Sequence, residues 1–196
     1  MILSFIKIVI KTLLENICEE IDIKSIDILN KDYTFRGRID NLNIQAESII
    51  YRNIYAHKIS IYIKNLYINI KIRKNPLFLE RCFADFKILL SKENINKILC
   101  DYKWHSIKCS IEAFISSKDI NSIDIHNNLI FFIVKGRYIT EFNYSLGFYK
   151  NNILLVNNIN KNSLQIPIDT NINIKSLSIN DDFIDMRLSS KLLFNS

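Results

Sequence analysis

The sequence predicts an α+β fold, and three observations predict it. The first 20 residues carry a helical pattern with a wide apolar side, β-branched residues alternate with polar ones from Phe35 to Arg73, and apolar residues return to helical spacing between Ser91 and Ser117 before alternation resumes. With 196 residues, 48% of them hydrophobic, the chain can bury a core without disulfide staples. The expected organisation is one domain over 1–196: an amphipathic helix over 1–20, strands over 21–90, a helical segment over 91–117 and strands over 118–196.

On a helical wheel of MILSFIKIVIKTLLENICEE, Ile2, Ile6, Val9, Ile10, Leu13 and Ile17 share one side, while Ser4, Lys7, Lys11 and Glu15 form a narrow polar stripe. A membrane span needs about 20 mostly apolar residues, and Lys7, Lys11, Glu15 and Glu19 interrupt this one. Neither a basic leader nor a small-residue cleavage site marks a secretory signal. Two readings stay open for the helix. Its apolar side packs into a core, or Ile2, Ile6, Val9, Ile10 and Leu13 face a bilayer with the lysines toward headgroups.

The strand region alternates through Leu42, Ile44 and Ala46, then Ile59, Ile61 and Ile63, then Leu66, Ile68, Ile70 and Ile72. Between Ile63 and Leu66 the spacing becomes three, so the pattern slips at Lys64-Asn65, as a turn or bulge makes it do. The segment IYIKNLYIN (Ile61 to Asn69) is written again as INIKSLSIN (Ile172 to Asn180), which slips at Lys175-Ser176, and as IDIKSIDI (Ile21 to Ile28), which slips at Lys24-Ser25. The shared slip marks recurrent units of one antiparallel architecture.

In the middle, Ile95, Ile98, Leu99, Trp104, Ile107, Ile111, Phe114 and Ile115 recur at helical spacing, with Ser91 placed as an N-cap. From Ile120 to Phe194 strands resume between turn signals at Lys135 to Arg137, Lys150 to Asn152 and Asn180 to Asp182. The chain holds only 3 Gly, so Asn is expected at left-handed turn positions.

Composition adds a source. Forty Ile, 24 Asn and 19 Lys stand against 3 Gly and 2 Pro, a skew toward A/T-rich codons that points to an A/T-rich genome. Net charge is +6 with a pI near 9.1, a mild attraction to polyanions. Cys18, Cys82, Cys100 and Cys109 lack C-x-x-C spacing and are expected as reduced thiols.

Catalytic signatures for phosphate binding, zinc hydrolysis or a serine nucleophile do not occur in the sequence. Ser122, Asp124 and His126 would lie in a row on one strand face, which is no triad geometry. Asp181, Asp182 and Asp185 lack the Gly and terminal Glu of a calcium loop. The expectation is a non-enzymatic protein without metal or cofactor. The basic stretch Lys71 to Asn75 and the tyrosines would be the handle for nucleic acid, but basic residues are spread through the chain with Glu and Asp interleaved and no RNA-binding signature occurs, so no nucleic-acid partner is expected.

The residues Phe35 to Glu80 resemble the LmeA-like phospholipid-binding family, in particular its cyanobacterial and plastid branch. Gly37, Arg38 and Ile39 stand where that branch has a Gly-basic-Ile segment, IYRNI (Ile50 to Ile54) resembles its VYRGL-like stretch, and Arg73, Pro76 and Leu77 resemble its basic-x-x-Pro-Leu stretch. ENINKIL (Glu93 to Leu99) is similar to the family's helix and INIKSLSINDDFIDMRLSSKLLFN to its closing hairpin, whereas Asn53 and Asn75 replace the usual glycines. The resemblance implies a long curved antiparallel sheet wrapped against the N-terminal and central helices, similar to tubular lipid-binding domains. It further implies a membrane phospholipid or galactolipid as partner. Candidate groove residues are Ile44, Ile61, Ile63, Leu66 and Ile68, and candidate headgroup residues are Arg36, Arg38, Arg52, Arg73 and Lys74.

Codon skew and resemblance together suggest a plastid protein peripheral to a membrane. The competing reading is an assembly or scaffold factor whose sheet binds a protein.

Overall fold

The computed structural model describes residues 2–30, 37–71, 75–79, 82–117, 119–134, 137–138, 143–180 and 182–192, with backbone alone for 68–71, 75–79, 137–138 and 192. The architecture is α+β and mostly antiparallel. Helix α1 (Ile2–Ile17) leads into β1 (Glu20–Leu29), β2 (Arg38–Tyr51), β3 (Ile54–Lys71), β4 (Asn75–Leu79) and β5 (Cys82–Ser91). Helix α2 (Lys92–Cys100), a short 3-10 turn (Tyr102–Trp104) and α3 (His105–Phe114) follow. The chain then forms β6 (Ile120–His126), β7 (Leu129–Val134), β8 (Arg137–Tyr138), β9 (Tyr144–Tyr149), β10 (Asn152–Asn157), β11 (Ser163–Pro167), β12 (Ile172–Asn180) and β13 (Phe183–Leu192).

These strands divide between two sheets, where the sequence reading expected one. The first runs β1-β2-β3-β5-β13-β12, with β4 paired to β3, and the second runs β11-β10-β9-β7-β6, with β8 paired to β7. The division follows from chain order and hydrogen bonding. Strands β1, β2, β3 and β5 are laid down before helices α2 and α3 and leave the far edge of β5 unpaired, and β13 takes that edge in register from Phe183↔Ser91 to Leu192↔Cys82. Strands β6 to β11 pair among themselves.

The ladder of the first sheet aligns apolar positions into rows across six strands. One row is Ile26, Ile44, Ile61, Phe86, Leu188 and Ile174, and the next is Ile23, Ala46, Ile59, Ile88, Met186 and Leu177. A third is Ile28, Leu42, Ile63, Ala84, Ser190 and Ile172. At about 4.8 Å between strands, each row is on the order of 24 Å long.

The slips expected from sequence have two structural causes. Strands β1 and β12, the two edges of the sheet, carry register shifts between Ile23 and Ser25 and between Ile174 and Ser176. Lys24 and Lys175 are the extra residues of these bulges, and burial follows the same sequence of exposed and covered positions on both sides of each. The third slip is not a bulge against β2. There the pairing passes from Ile39↔Leu66 to Asn41↔Lys64 without offset, and Asn65 adopts φ 52. This left-handed residue turns the pleat, so Ile63 and Leu66, three apart, are both buried. Ser48, at φ 51, does the same between Ala46 and Ile49.

Asparagine takes four of the non-glycine left-handed positions, Asn53, Asn65, Asn127 and Asn128, as expected from the scarcity of glycine, while Ser48, Arg52, Ser116, Asp119, Lys150, Lys161 and Asp182 take the others, which was not expected. The β2–β3 turn has positive φ at both Arg52 and Asn53, the requirement of a two-residue type I′ hairpin. Lys150, at φ 53, closes the β9–β10 turn. The expected turn at Lys135 to Arg137 lies mostly outside the described residues.

Ser91 caps α2 as expected. Its hydroxyl accepts from the Asn94 amide at 3.2 Å, and the Asn94 side chain accepts from the Ser91 amide at 3.0 Å. The end of α2 is tied to the far hairpin, because Asn53 Nδ2 donates to Asp101 Oδ2 at 2.7 Å and Trp104 Nε1 donates to the Asn53 carbonyl at 3.2 Å. Lys103 also donates to the Asn53 side chain.

This junction predicts that Asn53→Ala lowers stability by about 1–3 kcal/mol, since it loses side-chain hydrogen bonds and puts a Cβ without polar help at φ 62. Asn53→Gly, which keeps the backbone, should fall between the two. Urea unfolding checks this as a shifted midpoint at constant slope.

Candidate functional site

The candidate site is the apolar inner face of the first sheet and the two bodies that cover it. The second sheet with α2 and α3 covers one end, where Ile59, Ile88 and Met186 meet Ile123, Phe132, Tyr144 and Ile111 in one core cluster. Helix α1 covers the other end. Its Ile6 and Ile10 are buried in a second cluster with Ile39, Leu42, Ile44, Ile63, Leu66, Cys82 and Ala84. Period two along β2 and β5 puts both covers on the same face, for Ile44 adjoins Ala46 and Phe86 adjoins Ile88.

The helix reading therefore divides. Ile6 and Ile10, expected among the membrane-facing residues, point into the sheet; Ile2 and Leu13 are exposed and Val9 is half-buried. The reason is geometric: Ile6, Ile10 and Leu14 succeed one another at four-residue spacing and form the contact stripe. Apolar groups remain outside it, including Phe5 at 56% and Ile8 at 63% exposure.

Of the expected groove residues, Ile44, Ile63 and Leu66 are sealed beneath α1, and Ile61 is half-buried against the same cluster. Ile68 is described by its backbone, paired with Leu79. The α1 cluster takes Ile28, Leu42, Ile63 and Ala84 of one row and Ile26, Ile44, Ile61 and Phe86 of the next. Beside it lie the members of those rows on β12 and β13. Here Ile174 is buried, while Ile172 and Leu188 remain half-exposed. Phe86, Leu188, Ile172 and Ile174 thus form an apolar floor next to α1, and the sequence reading missed all four. The signal was present as alternation, but which strand lies beside which is decided by β13 joining β5.

The expected headgroup residues do not form one rim. Arg38 and Arg52 stand at opposite ends of β2, which by strand rise separates them by on the order of 40 Å. Arg38 donates to Asn65 Oδ1 at 2.6 Å, pairs with Asp40 at 3.2 Å and lies 5.8 Å over the Tyr67 ring. Arg52 lies 5.3 Å over Tyr51. Arg36, Arg73 and Lys74 fall outside the described residues.

The outer face of the sheet is polar and charge-paired: Lys24 and Lys58 each reach Glu47 at 3.6 Å, Lys87 pairs with Asp185 at 3.1 Å, and Lys175 with Asp85. Asp124, in the Ser-Asp-His row, is engaged by Lys92 at 3.0 Å, a contact that raises the lysine's pKa. Burial pushes the Cys82 thiol up, as suits a packing residue. Among the described residues no cluster of three or more His, Cys, Asp or Glu could hold a metal ion. No helix of the described residues is long and apolar enough to cross a membrane.

Sealed and half-open positions respond differently to truncation. Leu42→Ala, at 2% exposure, should cost about 2–5 kcal/mol, whereas Leu188→Ala should cost less, about 1–2 kcal/mol, because that side chain is only half-buried. Paired denaturant melts check the difference, and equal losses would mean the floor beside α1 is closed core.

Comparison with protein-family models, with curated proteins and with solved structures found no match.

Proposed function

We propose that this is a peripheral membrane protein that holds the acyl part of a phospholipid or galactolipid against the inner face of its first sheet, in the manner of tubular lipid-binding domains, and that it works in a plastid. The observation that carries the proposal is the set of in-register apolar rows, part of which α1 covers, Phe86 included, and part of which, Leu188 and Ile172, lies beside it only half-buried. A row on the order of 24 Å long exceeds the roughly 15 Å depth of one leaflet's hydrocarbon, half of the bilayer's core. Sheltering an acyl chain is worth about 0.8 kcal/mol per CH₂, while an exposed Arg or Lys contact to a phosphate, like other surface ion pairs, is worth about 0–1 kcal/mol. Affinity then comes from the sheet and orientation from basic side chains.

Helix α1 is the membrane element in this reading. It spends Ile6, Ile10 and Leu14 on the sheet and still exposes Phe5, Ile8, Leu13 and Ile17, more apolar surface than a packing helix needs. Lys7 and Lys11 suit an anionic interface. No chemical step is assigned to the protein.

Native mass spectrometry of protein purified from its own membranes tests the lipid. A stoichiometric bound phospholipid or galactolipid is expected, and an empty folded protein would favour a scaffold that binds a protein partner through the sheet. The helix is tested separately. Phe5→Ser with Ile8→Asp should reduce liposome flotation at least tenfold with unchanged stability, because both side chains lie outside the α1–sheet contact. Changing Ile6 would instead disrupt the core.

A further inference from the structure

The outer face of the sheet carries exposed apolar side chains that its charge pairing does not absorb, Phe83 and Leu29 among them. Phe83 is 69% exposed on β5, although its chain neighbours Cys82 and Ala84 are buried on the other face in the α1 cluster. In the ladder it lies between Lys64 on β3 and Lys191 on β13. Both lysines are exposed, and neither pairs with a carboxylate among the described residues, unlike Lys58, Lys87 and Lys175 farther along the same face. Tyr62 and Tyr67 flank the group at 36% and 43% exposure.

We propose that Phe83, with Lys64 and Lys191, is a second membrane contact, an apolar wedge between two cations that docks the α1 end of the sheet onto an anionic lipid surface. The proposal rests on the peripheral-membrane reading and deepens it by naming the surface charge and the residues that sense it. Two observations select a bilayer. Phe83 has no polar group and gains from entering the acyl boundary, with ammonium groups at headgroup level on both sides. The alternative polyanion, single-stranded nucleic acid, needs a run of open ring faces for stacking. Here the neighbouring rings are engaged, with Lys64 lying 5.3 Å over Tyr62 and Arg38 lying 5.8 Å over Tyr67. Because α1 packs behind the same stretch of β5, helix and wedge flank one end of the sheet.

The test is cosedimentation of the full chain with vesicles of phosphatidylcholine alone or with 30 mol% phosphatidylglycerol. Each basic residue near such a surface contributes about fivefold in partitioning. The double variant Lys64→Gln, Lys191→Gln should therefore bind anionic vesicles about 25-fold more weakly and show a flatter salt dependence, with binding to neutral vesicles unchanged. Phe83→Ser should weaken binding at least fivefold, and Phe83→Leu should restore it. Wild-type affinity in the lysine and Phe83→Ser variants, while the Phe5 and Ile8 variant loses binding, would overturn the wedge and leave the α1 anchor standing. Phe83-dependent vesicle binding by a protein that carries no lipid would uphold the wedge and remove the lipid-holding reading. An oligonucleotide that binds through Phe83 and displaces vesicles would also overturn it.

Discussion

Everything in the first sheet depends on the phase of its pleat, that is, on which side chains of each strand point to the inner face at a given level of the ladder. A strand that slips by one residue turns its whole apolar set to water. The six strands here stay in phase over three levels, from Ile28 on one edge to Ile172 on the other. Where a long strand would drift out of phase, a left-handed residue or a bulge resets it: Ser48 and Asn65 within the sheet, Lys24 and Lys175 on its edges. The covers α1 and the second sheet can meet a continuous apolar surface only because these resets occur.

The edge bulges serve a second purpose. An unpaired strand edge invites another chain, and a bulge with a charged residue discourages that pairing. Lys24 pairs with Asp22 and Glu47, and Lys175 with Asp85, so each edge carries a held charge at its irregular point. Both edge strands are followed by a hairpin partner, β2 or β13, and β3 and β5 meet at the middle. This arrangement gives the three related segments their structural meaning: IDIKSIDI and INIKSLSIN are the two edges, while IYIKNLYIN belongs to a central strand and handles its phase change differently.

The two covers differ in kind. The second sheet and the helices α2 and α3 seal their end through many contributors, with buried aromatic contacts such as Phe132 against Tyr144 at 5.1 Å. Helix α1 holds its end through one narrow stripe and leaves much of its apolar surface outside. A cover attached in this way can be lost with less exposure of core than the other.

Much of the fold was legible in the chain. Period two identified the strands, the slip at Lys-polar pairs identified the phase changes, Ser91 identified a helix start, and glycine scarcity placed asparagines in some of the left-handed positions. These are local properties, fixed by backbone sterics within a few residues. Sequence could not say that β13 and β12 return to the edge left open by β5, which creates the floor of Phe86, Leu188, Ile172 and Ile174 from segments about ninety residues apart. Nor could it say which apolar residues of α1 meet the sheet, since Ile6 and Phe5 are equally apolar and differ only in which direction the packed helix turns them. Local pattern determined the elements, and tertiary structure decided the site, because pairing partners and helix rotation are chosen by the burial they achieve together.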